Sequence, residues 1–79
     1  MRLDKYLKVS RLIKRRTVAN EACDAGRVLV NDKVARASYD VKEGDVITIV
    51  FGTREVKAEV VAVRETVAKD DAALLYKLL

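Results

Sequence analysis

The sequence predicts an α+β fold in which two N-terminal helices pack on a small antiparallel sheet and a short C-terminal helix follows. Three observations point there. Apolar residues recur at helical spacing up to Ala25, and the pattern becomes alternating after Gly26. The pair Asn31-Asp32 separates two apolar β-rich runs, as the turn of a hairpin does. Helical spacing then returns from Ala68 to Leu79. With 79 residues, 51% hydrophobic and 35% charged, the chain supports one small core and is too apolar for a disordered tail.

The elements follow in order. Leu3, Tyr6 and Leu7 fall at i, i+3 and i+4 on one face of a first helix, and Arg2, Lys5 and Lys8 turn away from it. The stretch from Ser10 to Arg16 sets Leu12 and Ile13 among cations, and Thr17 is placed to cap a second helix through its hydroxyl. Val18, Ala22 and Ala25 form the expected inner face of that helix, with Asn20, Glu21 and Asp24 opposite. Gly26 stands where a left-handed residue stops a helix. Val28 to Val30 begins the sheet, residues 38–45 read as a loop, and Val46 to Phe51 forms a strand ended by Gly52. Clean alternation from Arg54 to Arg64 predicts one long strand. In the last helix Ala72, Leu75, Tyr76 and Leu79 make the inner stripe, while Asp70 and Asp71 suit its start by capping and dipole.

Composition removes much chemistry. Histidine is absent and Cys23 is the single cysteine, so no Ser-His-Asp, Cys-His or His-ligated metal arrangement is available. The expectation is no catalytic residue, no metal and no cofactor. Cys23 reads as a small buried hydrophobe, reduced in the cytoplasm. The opening residues lack the apolar run of a signal peptide, and no segment approaches the roughly 20 apolar residues that span a bilayer.

The charge is lopsided. Residues 1–36 hold ten cations against four carboxylates, and residues 37–79 hold six against eight, so a net +6 half joins a −2 half. One face suited to a polyanion follows from that asymmetry. The candidate RNA-binding residues are Arg2, Lys5, Lys8, Arg11, Lys14, Arg15, Arg16, Arg27, Lys33 and Arg36. Arg15 and Arg16 lead, because guanidinium forks match phosphate oxygens and stack on bases. Spacing alone leaves Arg2 and Lys5 equally open to RNA contact and to ordinary helix solubility. Lys8, Arg11 and Lys14 read as steering charges. Arg27, Lys33 and Arg36 extend the patch over the hairpin or merely keep its edge soluble. Asp4 is expected to pair with neighbouring cations and orient them. Tyr6 and Tyr76 read as packing residues, and Tyr39 is open to stacking or packing.

Arg2 to Leu7, the basic stretch to Arg16-Thr17, and Ala22 to Asn31 with its Gly-x-Val-x-Val-Asn ending resemble the RNA-binding domain of ribosomal small-subunit protein four. Asp32 stands where that family usually has glycine. The tail Asp71 to Lys77 is similar to the stand-alone heat-shock-type and ribosome-quality-control members. The resemblance implies residues 1–64 as the RNA-binding domain with extended strands, and residues 65–79 as a helical tail. It favours RNA contact for Arg2. It also implies partners: the rRNA of an obstructed large ribosomal subunit, tRNA, and an NFACT-family factor that adds alanine tails to stalled chains. The competing readings are a protein-interaction module docking through the acidic half, and an RNA-binding accessory factor outside quality control.

Overall fold

A computed structural model describes all of residues 1–79. Helix α1 spans Leu3–Val9 and α2 spans Arg16–Asp24, followed by β1 (Val28–Val30), β2 (Lys33–Val34), β3 (Val46–Phe51), β4 (Arg54–Val60), a 3₁₀ helix (Lys69–Leu75) and β5 (Tyr76–Leu78). The five strands form one antiparallel sheet in the order β2-β1-β3-β4-β5. The α+β fold and the two helices on an antiparallel sheet are as the periodicities predict.

The first helix buries the expected stripe, with Leu3, Tyr6 and Leu7 wholly enclosed against Val28, Ile47, Ile49, Val60 and Leu75. The stop at Gly26 is a Schellman motif. Its φ of 73° lets the Gly26 N–H donate to the Cys23 carbonyl and the Arg27 N–H donate to the Ala22 carbonyl, each at 3.0 Å. Asn31 and Asp32, at φ 52° and 68°, close a two-residue turn of the kind whose twist matches the flanking strands. Asn31 also fastens the hairpin to β3, since its Oδ1 accepts from the Val46 N–H at 3.0 Å.

Several local expectations are corrected. Thr17 caps nothing: α2 begins at Arg16 with extended Arg15 as its N-cap, which puts Thr17 inside the first turn. The buried face of α2 is Ala19 and Cys23, while Val18 is exposed. Close packing of α1 and α2 selects the small side chains, and the branched Val18 is turned outward. Strand β4 stops at Val60, because the next two N–H groups, of Val61 and Ala62, donate to the Leu75 carbonyl. Helical geometry in the tail ends at Leu75, and the final residues add a strand to the sheet instead. The spacing of Ala72 and Leu75 fits this equally, since a 3₁₀ helix of about three residues per turn aligns i with i+3. Tyr76 is accordingly half-buried and Leu79 exposed. Asp70 and Asp71 lie in the first turn but form no cap hydrogen bond, so charge alone suits them to that end.

Candidate nucleic-acid interface

The organising group is a carboxylate. Asp4 sits in the first turn of α1 and is only 2% exposed, yet α2 begins directly beside it. One oxygen, Oδ1, accepts from Arg2 Nε at 3.2 Å and from the Lys5 backbone N–H at 2.8 Å. The other, Oδ2, accepts from Arg2 Nη2 at 3.4 Å and Asn20 Nδ2 at 3.2 Å, and pairs with Arg16 Nε at 3.5 Å. Burial pushes the Asp4 carboxyl up, and the hydrogen bonds from Arg2, Asn20, the Lys5 backbone and Arg16 outweigh it, so the group titrates below the usual carboxylate range. It is therefore an ionised, buried anchor at neutral pH.

The cations that it holds face outward. The Arg2 and Arg16 side chains are 52% and 48% exposed. Arg2 is tied along the Nε–Nη2 edge of its guanidinium and Arg16 through Nε alone, which leaves further N–H groups on both for an external acceptor. Beside them a groove of about 530 Å³ is lined by Arg2, Asn20, Asp24, Arg36 and Ser38. Arg36 and Ser38 continue into a second groove of about 620 Å³, where they meet Lys33, Val34 and Tyr39. Tyr39 is fixed there by donating its hydroxyl to Asp45 Oδ2 at 3.2 Å.

The remaining sequence candidates are placed differently. Lys8, Arg11 and Lys14 gather at a separate hollow of about 250 Å³ with Glu65, Thr66 and Val67, and none of the three has an acidic partner within ion-pair distance. Arg11 adopts φ 62°, the left-handed bend that turns the chain out of α1. Lys5 is paired with Glu65, whose carboxyl that contact lowers. Arg15 is exposed and unpaired at the N-cap of α2. Arg27 borders an apolar groove with Val18, Ala22 and Phe51, away from Arg2 and Arg16.

Asn20 escaped the sequence reading, which set it on the solvent face of α2. The usable signal was its spacing: Arg16 and Asn20 stand at i and i+4, one above the other on a helix, and so reach the same carboxylate. Cys23 is buried as expected, and its thiol is pushed up to about 11 by burial and then by the charges of Asp4 and Asp24. It is inert toward nucleophilic chemistry at neutral pH.

The arrangement resembles those of known proteins. The S4 domain family model matches residues 1–47. Over 78 residues the chain is 56% identical to the RQC P-site tRNA stabilizing factor of Halalkalibacterium halodurans, a match covering 99% of this chain and 89% of that protein. It is 52% identical to the Bacillus subtilis protein of the same name over 79 residues, covering 100% and 92% of the two chains. A trimeric structure of Vibrio cholerae Heat Shock Protein 15 superposes with a TM-score of 0.91 at 29% identity, over 100% of this chain and 81% of the other.

Proposed function

The chain belongs to the S4-domain family, and from that premise we propose that it is an RNA-binding factor of ribosome-associated quality control that stabilises P-site tRNA. The observation that carries this reading is the end-to-end match at about half identity to proteins named for that role, a match that includes the tail as well as the shared domain. A ribosomal role sets the protein in the cytoplasm.

On this reading the protein binds the obstructed large subunit through rRNA and peptidyl-tRNA, and supports alanine tailing by an NFACT-family factor. It performs no chemistry itself. Arg2, Arg16 and Arg36 are the geometric phosphate contacts, since structured RNA is recognised by shape and by cations matched to its backbone. Arg15 and Lys33 extend that surface, and Lys8, Arg11 and Lys14 steer the approach. Lys5 and Arg27 contribute general charge, because one is occupied by Glu65 and the other lies beyond the groove.

Sedimentation of cell lysate through sucrose gradients at low and high salt tests the reading. Comigration with free large subunits, stripped by salt, is the expected result. A signal confined to the soluble fractions overturns it. For the finer claim, deleting the gene should remove C-terminal alanine tails from stalled chains, and tails of undiminished length would refute the link to tailing.

A further inference from the structure

We propose that Asp4 is a positioning residue for RNA binding: a buried carboxylate that strengthens association with a polyanion, against the sign of its own charge, by bracing Arg2 and Arg16. The proposal rests on the functional reading above for its choice of partner. Its grounds are geometric.

Arg2 precedes α1 and Arg16 opens α2, so the two guanidinium groups belong to different elements. The Asp4 carboxylate lies between them, within 3.5 Å of both, with Asn20 and the Lys5 N–H completing its acceptor positions. It thus fixes the separation of two half-exposed arginine forks. A free arginine on a surface loses rotamer freedom when it meets a phosphate. Here that loss is taken largely at folding, and the forks arrive pre-oriented.

The same carboxylate also repels phosphate. Its charge lies within 3.5 Å of both guanidinium groups before any phosphate arrives, and it cancels half of their combined charge. A surface selected for attraction alone would dispense with it. The two effects of Asp4 therefore have opposite signs, and Asp4→Asn separates them. This substitution keeps the shape, raises the local charge by one and removes the strong bracing. If charge dominates, binding tightens. If bracing dominates, binding weakens.

The experiment measures the Kd of the wild type and of Asp4→Asn for salt-washed large ribosomal subunits, and in parallel for bulk tRNA, across a series of KCl concentrations. It is run well below the melting temperature of each protein as read by circular dichroism. Asp4→Asn is expected to bind about tenfold more weakly, with a salt slope shallower by about 0.7 to 0.9, which is one phosphate contact. Equal or tighter binding overturns the proposal, whatever the melting temperature does. In an Arg2→Ala, Arg16→Ala background, Asp4→Asn should cause no further loss, and an additional tenfold drop would show that it acts by another route. If Asp4→Asn fails to fold, Asn20→Ala removes one neutral donor to the carboxylate and should weaken binding about threefold; unchanged affinity then refutes the bracing. A wild type that binds tRNA but not subunits defeats the ribosomal reading and leaves the Asp4 comparison to be judged on tRNA. A wild type that binds neither defeats both.

Discussion

Two sets of cations stand on the helical half of this molecule, equal in charge per residue and different in what holds them. Arg2 and Arg16 are paired with one buried carboxylate, Arg2 along an edge and Arg16 through Nε, whereas Lys8, Arg11 and Lys14 have no acidic partner within ion-pair distance and line an open hollow. The first set has a fixed geometry and the second has only position. Fixed groups act on the bound state, and free exposed charges act on the approach to it. A count of basic residues makes these sets alike, and the structure separates them.

The largest effect should come from breaking the fixed set. Replacing Arg2 and Arg16 together by alanine should weaken large-subunit binding by about 100-fold, or about 2.7 kcal/mol, mainly through faster dissociation. Stopped-flow measurement checks which rate changes. Replacing Lys8, Arg11 and Lys14 together by glutamine should instead slow association by about tenfold at low salt and leave dissociation nearly unchanged. Equal effects of the two replacements on dissociation would erase the distinction.

A smaller effect tests the packing beneath both sets. The Tyr6 hydroxyl, buried, donates to the Leu75 carbonyl at 2.7 Å and ties the 3₁₀ helix to α1. Tyr6→Phe leaves that carbonyl with its two backbone donors, Val61 and Ala62, and should cost about 0.5 to 1.5 kcal/mol. For a domain of this size each kcal/mol lowers the melting temperature by about 4 to 8 °C. RNA affinity measured well below the transition should hold, because neither cation set is touched.

Cys23 should give the smallest effect under ordinary conditions. At pH 8 iodoacetamide should leave the folded protein unlabelled and modify the urea-unfolded chain, because burial holds the folded thiol up at about 11 against an ordinary 9.0. The same shift sets an alkaline limit to stability. A thiol whose folded value is raised stabilises the native state fully below pH 9 and loses that contribution as pH rises toward 11. Tyr6, raised further by burial and then by Tyr76, acts in the same direction. Melting temperatures followed from pH 8 to 11 should therefore fall, and a flat profile would contradict both burials.

What the sequence made legible was whatever depends on neighbours in the chain. The stripe of Leu3, Tyr6 and Leu7, the stop at Gly26 and the two-residue turn at Asn31-Asp32 are local signals with local causes, and each stands where it was expected. The buried face of α2 was misread because Val18 is the most apolar residue available there. Which face is buried depends on how closely α1 approaches, and close approach favours Ala19 and Cys23. The short C-terminal helix is present over Lys69–Leu75, and its extension to Leu79 fails because the pairing of β5 with β4 joins residues far apart in sequence. The grouping of Arg2, Arg16 and Asn20 on Asp4 was only half legible, since the i, i+4 spacing sits on one helix and the carboxylate on another.

By itself the sequence determined the two N-terminal helices, the hairpin and the central strand, the stop and turn between them, the electrical imbalance of the two halves, and the resemblance to a family, because each is written in residue type and short-range spacing. The tertiary structure alone decided which cations are braced and which are free, which face of α2 is inside, and how the tail closes the sheet. Those depend on distances between residues far apart in the chain, and only packing brings a buried carboxylate on one helix within reach of the arginine that opens the next.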